Sequence, residues 1–348
     1  MEKRDIKSML PAELETVMGE LGQPRFRAGQ IFKWLHSGVT DFAKMSNLPK
    51  DLRENLDKNF YIADVILKKR LESTLDDTVK YLYMLADGEY IESVLMKYRH
   101  GYTVCVSTQV GCRMGCSFCA SGLDGLARNL TASEILSQVM AAQRDRQIRV
   151  SNVVLMGMGE PLDNFDNTVR FLELVSHPDG MNIGLRHISL STSGVVPGIY
   201  KLMELKKPIT LSVSLHAPND QIRSRMMRVN RKWNIDTLLK ACRDYIAADG
   251  RRISFEYAVV EGVNDSDACA LELAGRLKGM LCHVNLIPAN PVAENGYKRP
   301  NAARVARFAE ILNQKGINTT VRRTLGADIN ASCGQLRRQH TGDRAEKA

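Results

Sequence analysis

The alternation of strand-like and helix-like segments over the last two thirds of the chain restricts its fold more than any other feature. From about residue 103 onward, short apolar runs typical of strands are separated by longer stretches with helical spacing of their apolar residues. The predicted strands cover 103–107, 153–156, 187–191, 209–215, 253–260 and 284–287. Predicted helices between them include 132–144, 167–175, 235–247 and 302–314. About six such repeats predict an α/β fold whose parallel sheet curls into a full or partial barrel.

The region before residue 99 does not follow this alternation. A predicted helix begins at Pro11 and ends before Gly22. Two further predicted helices cover 27–35 and 49–56, and two strands that flank a turn cover 79–85 and 90–96. We expect four units: a small helical N-terminal accessory domain over 1–75, a β-hairpin over 76–98, the barrel over 99–325 and a C-terminal extension over 326–348.

Three cysteines follow the first predicted barrel strand in the spacing C-x3-C-x2-C, at Cys112, Cys116 and Cys119. Thiols so close in sequence are typical of a metal centre. A structural zinc site takes four ligands, usually as two short pairs, so the fourth would be a remote residue such as His100 or Cys105. A [4Fe-4S] cluster held by three cysteines leaves one iron open, and the spacing favours this second interpretation.

The cysteine spacing, with Phe118 beside the last cysteine, resembles the signature of radical S-adenosylmethionine (SAM) enzymes. This resemblance implies a partial (β/α)6 radical SAM barrel. It also implies that the open iron chelates the amino and carboxylate groups of SAM. One electron from the cluster then cleaves SAM to methionine and a 5′-deoxyadenosyl radical.

Small polar residues follow four of the later predicted strands, where parallel barrels carry their chemistry. The candidate SAM-binding residues are Gly159, Glu160, Ser191, Ser214, Leu215, His216 and Asn290. The segment with Gly159 and Glu160 resembles the superfamily's glycine and glutamate element, which lets the backbone approach SAM and binds its amino group. Taken singly, each motif also fits a glycine turn or a core histidine. Their register with the strands favours one SAM site.

Two further cysteines lie outside the triad, Cys105 inside the first barrel strand and Cys333 near the C-terminus. Their segments, together with 156–162 and 285–288, resemble the RlmN/Cfr family of radical SAM RNA methyltransferases over essentially the whole chain. By contrast, Cys242, Cys269 and Cys282 match no functional family position, and we interpret them as small buried hydrophobic residues.

Pro161, directly after Glu160, resembles the family branch that methylates adenine C2. The antibiotic-resistance branch, which methylates C8, usually carries alanine there. Near the C-terminus the chain has Asn330 and Ser332 where the commoner family form has aspartate and alanine. Both are small neighbours of Cys333, so the resemblance is barely weakened.

Adenine C2 lies between two ring nitrogens and is electrophilic, so it cannot attack the methyl group of SAM and a radical route is required. The resemblance implies two SAM molecules per turnover: Cys333 takes a methyl group from one, and the second yields the radical that activates this methyl group for addition to C2. Cys105 then attacks the sulfur of Cys333, which releases the product and leaves a disulfide that must be reduced. Glu92 matches the family's proton acceptor, and its alternative is a surface strand carboxylate.

Charge and composition indicate the partners and the compartment. A net charge of +9 favours a polyanionic partner, most simply nucleic acid. The basic segments around Arg223 and Arg228 are weak candidates for phosphate contacts. No apolar run reaches the length of a membrane span, the N-terminus resembles no secretory signal and cysteines are sparse, so we expect a cytoplasmic protein without a membrane partner.

The family resemblance implies 23S rRNA as substrate, with the adenosine 3′ to the anticodon of some tRNAs as a second candidate, and an electron donor such as flavodoxin or ferredoxin. Three alternatives stay open at this point. The first is the C8 branch, and the second is a radical enzyme that activates a protein and needs neither Cys105 nor Cys333. The third is a zinc-stabilised RNA-binding protein without catalysis.

Overall fold

The computed structural model describes residues 3–289 and 296–331, so Asn290 and Cys333 lie outside the described residues. The strands are β1 Arg4–Asp5, β2 Phe60–Tyr61, β3 Ile66–Glu72, β4 Val79–Met84, β5 Tyr90–Tyr98, β6 Gly101–Cys105, β7 Gln109–Gly111, β8 Leu126–Asn129, β9 Val150–Leu155, β10 Ile188–Thr192, β11 Thr210–Ser214, β12 Ile253–Val259, β13 Cys282–Pro288 and β14 Thr319–Val321. The helices are α1 Pro11–Glu20, α2 Phe26–His36, α3 Lys50–Asn59, α4 Ala132–Arg146, α5 Phe165–Ser176, α6 Val196–Glu204, α7 Asp220–Met226, α8 Ile235–Asp249, α9 Asp267–Leu277 and α10 Ala302–Gln314.

A ten-stranded sheet in the order β14-β13-β12-β11-β10-β9-β6-β5-β4-β3 forms the centre of the molecule. The strands from β6 to β14 in this sheet pair in parallel, whereas β3 to β6 pair antiparallel. The six predicted barrel strands correspond to β6 and β9 to β13, so the α/β prediction is confirmed. Because the strands are parallel, their carboxyl ends meet at one edge.

Two strands of the ten-stranded sheet, and the four short strands of the two small sheets, were not predicted from the sequence. The edge strand β3 reads Ile-Leu-Lys-Lys-Arg-Leu-Glu and is mostly exposed, so it has no apolar alternation to detect. It extends the predicted β4–β5 hairpin to three antiparallel strands. The last parallel strand, β14, has only three residues and is too short for a pattern. The proposed limits of the four units stay predictions.

The N-terminal helices dock onto the barrel through α4, which is buried along most of its length. The side chain of Lys7 is buried and its Nζ donates hydrogen bonds to the carbonyl of Ala63 (3.0 Å) and to Ser137 Oγ (2.8 Å). Burial lowers the pKa of Lys7 to about 8. Thr131 and Glu134 begin α4 with a capping box. Among the described residues, no helix combines the length and apolar content needed to cross a bilayer.

Candidate active site

A cavity of about 310 Å³ opens at the carboxyl ends of the parallel strands. Its walls include the three thiols predicted to bind metal, Cys112, Cys116 and Cys119. They also include five of the seven predicted SAM-binding residues, Gly159, Glu160, Ser191, Ser214 and His216. The fold therefore brings the cysteine loop and the ends of the three strands β9, β10 and β11 to one space.

Two predicted SAM-binding residues are not among the described walls of this cavity. The side chain of Leu215 is fully buried in the main hydrophobic core, and its backbone N–H donates to the carbonyl of Glu256 (3.0 Å). Asn290 lies outside the described residues, although its neighbour Ala289 lines the cavity. Their roles stay predictions.

The three thiols are partly buried in the cavity wall. Burial raises the pKa of Cys112 to about 12 and also raises that of Cys116, and the charge of Cys119 adds to both shifts. Over 3–289 and 296–331, no three His, Cys, Asp or Glu side chains are arranged to hold one metal ion. Three thiols that face one cavity without being arranged around a single ion fit a larger group, the [4Fe-4S] cluster, which three cysteines hold with one iron open.

The glycines of the 157–161 segment allow a close approach of two backbone strands. Gly159 has φ of +101°, and a Cβ there would come within 2.6 Å of Gln109 Cβ. At Gly157 a Cβ would come within 2.6 Å of the carbonyl oxygen of Val106. Any other residue would push this segment away from the cysteine loop.

The carboxylate of Glu160 is buried and held by backbone amides. It accepts hydrogen bonds from the N–H groups of Ser193 (2.7 Å) and Leu162 (3.1 Å). Burial raises the pKa of Glu160, and these hydrogen bonds oppose the shift. The carboxylate is therefore oriented towards the cavity wall and suited to bind an ammonium group.

Arg223 was a candidate for phosphate contacts, and this interpretation is wrong because its side chain is fully buried. Its guanidinium donates hydrogen bonds to the carbonyls of Ser193 (2.6 Å), Ser214 (3.1 Å) and Leu215 (3.1 Å). Burial lowers its pKa to about 10, and the nearby thiol of Cys116 opposes that shift. Arg223 thus fixes the ends of β10 and β11 from behind the cavity.

His216 sits in the left-handed backbone region, with φ of +57°. Its Nδ1 accepts a hydrogen bond from the N–H of Ala258 (2.8 Å), and its ring meets Phe118 edge to face at 4.7 Å. Burial lowers the pKa of His216 to about 3, so the ring is neutral with its proton on Nε2. His216 is both a packed residue and part of the cavity wall.

A second cavity of about 210 Å³ adjoins the first and shares Met156, Gly157, Ile287 and Arg322 with it. Its walls include Cys105 and Glu92. They also include three residues of the segment that leads to the C-terminus, Thr324, Leu325 and Ala331. We call the two spaces the SAM cavity and the carrier cavity. Ala331 precedes Cys333 by two positions in the chain.

Glu92 lies on β5 with 2 % of its surface exposed, so the alternative of a surface carboxylate is wrong. Its Oε2 lies 3.0 Å from the Nζ of Lys80, which is equally buried. On the neighbouring strand, burial raises the pKa of Cys105 to about 11, which the charge of Arg322 opposes. At neutral pH Cys105 is therefore a protonated thiol close to a paired carboxylate.

Two of the buried charged residues that the sequence analysis did not name belong to the candidate site. Glu256 on β12 lines the SAM cavity and accepts a hydrogen bond from Asn285 on β13 (2.7 Å). The second, Lys80, lies in β4. A charged residue inside an apolar strand was the available signal in both cases. Of the other cysteines, Cys242 and Cys269 are buried as expected, whereas Cys282 is partly exposed.

Two family models match the chain. The Radical SAM superfamily model matches residues 106–273, and the ribosomal RNA large subunit methyltransferase N-terminal domain model matches residues 5–62. These segments carry the cysteine loop with most of the parallel strands and the N-terminal helices. The family therefore has a [4Fe-4S] cluster and SAM as its cofactors.

Curated relatives and a solved structure agree with these models over the full length. The probable dual-specificity RNA methyltransferase RlmN of Alkaliphilus oremlandii is 54% identical, over 98% of this chain and 99% of that protein. The corresponding protein of Clostridium novyi is 52% identical, over 94% and 96%. The crystal structure of a radical SAM methyltransferase from Sphaerobacter thermophilus has 46% identity and a TM-score of 0.91, over 95% of this chain and 98% of that chain. With its cysteine triad, SAM cavity and N-terminal helices, the chain belongs to the RlmN family of radical SAM RNA methyltransferases.

Proposed function

We propose that the protein methylates C2 of a specific adenosine in 23S rRNA, with the adenosine 3′ to the anticodon of some tRNAs as a second substrate. The supporting observation is the shared wall between the SAM cavity and the carrier cavity. One cavity holds the cysteine triad, and the other holds Cys105 and Glu92. A methyl-carrier mechanism needs these two sets of groups next to each other. The relatives' dual-specificity names support both RNA substrates.

In the SAM cavity, bound SAM and the cluster held by Cys112, Cys116 and Cys119 supply the radical chemistry. The Glu160 carboxylate, which is oriented by hydrogen bonds from two backbone amides, binds the amino group of SAM. Ser191 and Ser214 offer hydroxyl groups at neighbouring strand ends. Neutral His216 offers its Nε2–H as a donor from the same wall. Arg223 fixes the ends of β10 and β11, so the groups at these strand ends keep a defined position for binding SAM.

Cys333 is the methyl carrier, and Cys105 in the carrier cavity is the resolving thiol. Ala331, two positions before Cys333, lines this cavity, and two residues of extended chain span at most about 7 Å. Methyl transfer to Cys333 breaks the S–CH3 bond of SAM and the S–H bond of the thiol, forms an S–C bond, and releases S-adenosylhomocysteine and a proton. The radical that a second bound SAM would supply would take a hydrogen atom from this methyl group, which leaves a carbon radical that adds to C2 of adenine.

Product release needs a base and a thiol. The adduct would return one electron to the oxidised cluster, and the Glu92 carboxylate accepts the proton from C2. Cys105 then forms an S–S bond with Cys333 while the C–S bond breaks, and the released carbon takes a proton to become the methyl group. Because the pKa of Cys105 is about 11, its proton must pass to a base as it attacks. Two external electrons reduce the disulfide, and flavodoxin or ferredoxin is the proposed donor.

Pro161 lines the SAM cavity, and its identity favours C2 over C8 as the methylated atom. The N-terminal helices are the proposed RNA-binding region, and the positive net charge of the chain favours binding to the RNA phosphates. The proposed location is the cytoplasm.

Mass mapping of adenosine methylation in 23S rRNA and tRNA from a deletion strain tests the proposal. We expect 2-methyladenosine to disappear from both RNAs in the deletion strain. The wild-type gene should restore it, whereas Cys333→Ala should not. Unchanged 2-methyladenosine in the deletion strain, or 8-methyladenosine on restoration, would contradict it.

A further inference from the structure

The chain that leads to Cys333 is fastened to the turn between β3 and β4. The carboxylate of Asp328 accepts three hydrogen bonds there: from Ser73 Oγ (2.7 Å), from the backbone N–H of Thr74 (2.7 Å) and from the Thr74 hydroxyl (3.0 Å). About 250 residues of sequence separate the two partners of each bond. Hydrogen bonds to a carboxylate are stronger than those between neutral groups, so these three bonds hold the segment firmly against the turn.

Two more hydrogen bonds extend the same contact on either side of Asp328. The N–H of Gly326 donates to the Asp76 carboxylate (2.9 Å), and Lys80 Nζ donates to the carbonyl of Asn330 (3.0 Å). Lys80 is also the ion-pair partner of Glu92. The segment is therefore tied both to an outer turn and to the buried carboxylate of the carrier cavity.

Residues 326–331 form a tight loop at this contact. The N–H of Ala331 donates to the carbonyl of Gly326 (3.0 Å), which has φ of +59°. A Cβ at Gly326 would lie 2.7 Å from Ala331 Cβ and 2.9 Å from Thr78 Cγ2. Only glycine fits this position, since any side chain would push the loop off the turn.

The loop also lines the carrier cavity through Ala331, and Leu325, directly before the loop, lines it as well. Glu92 on β5 and Cys105 on β6 line the same cavity. The contacts at the β3–β4 turn therefore set how far the start of the carrier segment stands from the resolving thiol.

We propose that these contacts form a carrier clamp, in which Asp328 is the main positioning residue for the segment that ends in the methyl-carrying cysteine. The clamp consists of Ser73, Thr74, Asp76 and Lys80 with Gly326, Asp328 and Asn330. This inference rests on the proposed function, because it assumes that Cys333 carries the methyl group. The hydrogen bonds of Asp328 lie at the surface, and Asp328 is not among the residues that line either cavity, so its role is to position the segment.

Asp328→Ala in the cluster-loaded enzyme tests the clamp by separating two activities. Methylation of Cys333 is measured by mass spectrometry, and reductive cleavage of SAM by 5′-deoxyadenosine release. We expect methylation to slow about tenfold, since Asp328→Ala removes hydrogen bonds to a charged group. SAM cleavage should stay within about twofold, because the SAM cavity is unchanged. Asp77→Asn is the matched control, since Asp77 lies in the same turn and pairs at the surface with Lys97 (3.1 Å).

A second variant keeps the test decisive if Asp328→Ala folds poorly. Thr74→Val preserves shape and removes only the hydroxyl hydrogen bond, whereas Thr74→Ser retains it; the first should slow Cys333 methylation and the second should not. Normal methylation in Asp328→Ala and Thr74→Val would overturn the clamp, and so would a parallel loss of SAM cleavage. If the wild-type enzyme never carries a methyl group on Cys333, the carrier role itself fails, and the clamp with it.

Discussion

The SAM cavity and the carrier cavity adjoin but are built in different ways. The SAM cavity takes its residues from the ends of successive parallel strands, so the same local pattern supplies a side chain at each repeat. The carrier cavity joins the antiparallel strands β5 and β6 to a segment more than 200 residues later. The comparison shows that the barrel repeat can create a cofactor site alone, whereas a second reacting group needs long-range contacts.

The two cavities also differ in how they neutralise charge. The carrier cavity contains its own counter-ion, because Lys80 pairs with Glu92 at 3.0 Å. In the SAM cavity the thiols of Cys112 and Cys116 have raised pKa values, and burial is the main cause. Thiolates are stable there only with a bound cationic group. The SAM cavity should therefore depend on its cofactor, and the carrier cavity on its protein contacts.

The largest expected effect is in the SAM cavity. Cys116→Ala removes one of three cluster ligands and should abolish both cluster binding and RNA methylation. Iron and sulfide analysis with a visible spectrum after anaerobic reconstitution measures this. Cys282→Ala, which changes a partly exposed thiol outside both cavities, should retain the cluster. Stoichiometric zinc without iron in the wild-type protein would contradict the account.

In the carrier cavity, Glu92→Gln keeps the shape of the side chain but removes the proton acceptor. We expect RNA methylation to fall about 10²- to 10⁴-fold, the usual effect of a lost general base, with the cluster spectrum unchanged. Glu89→Gln makes the same change outside both cavities and should leave the rate near the wild-type value. A rate for Glu92→Gln equal to that of Glu89→Gln would show that another group takes the proton.

The ion pair of the carrier cavity should also support stability. Lys80→Met leaves the Glu92 carboxylate without its buried counter-ion, which should lower the free energy of unfolding by about 3–5 kcal/mol. Lys97→Met breaks the exposed pair with Asp77 and should cost less than about 1 kcal/mol. Urea unfolding of the two variants measures the difference. Equal losses would mean that Lys80 and Glu92 do not form a buried pair.

A smaller effect is expected in the pH dependence of the free energy of unfolding, through His216 in the SAM cavity. The pKa of His216 is about 3 in the folded protein and near 6.5 when unfolded, so the unfolded chain binds more protons between these values. The contribution of His216 to stability is therefore complete above pH 6.5 and falls as pH decreases, by up to about 1.4 kcal/mol per pH unit. His216→Gln keeps an acceptor for the Ala258 N–H. Urea unfolding from pH 7.5 to 5.5 should show the advantage of the wild type over this variant shrinking, and a constant difference would contradict the shift.

The sequence was sufficient to predict the barrel and most of the SAM cavity. Strand ends recur at intervals that periodicity reveals, and the parallel topology then places Ser191, Ser214 and His216 together. The cysteine spacing is also a local pattern, and it predicts that the three thiols lie together on one loop. Leu215 shows the limit of this reasoning, because a position between two cavity residues can still point into the core.

The burial of Arg223 could not be predicted, because a charged residue in a polar helix gives no sign of being buried. Its guanidinium donates to three strand-end carbonyls instead of facing solvent. The contact between Asp328 and the β3–β4 turn depends on partners about 250 positions apart, and no local pattern encodes it. Even β3, one partner in that turn, is a charged edge strand without alternation.

The most direct test of the two-cavity account compares Cys105→Ala with Cys333→Ala on a denaturing gel. Cys105→Ala should still methylate Cys333, form the radical and add to adenine, but no thiol would attack the carrier sulfur. We expect a slow, nuclease-sensitive band of protein bound to RNA from cells that express Cys105→Ala, and no such band with Cys333→Ala because the link cannot form. Normal turnover by Cys105→Ala, or no trapped RNA while its Cys333 is methylated, would contradict the resolving role of Cys105.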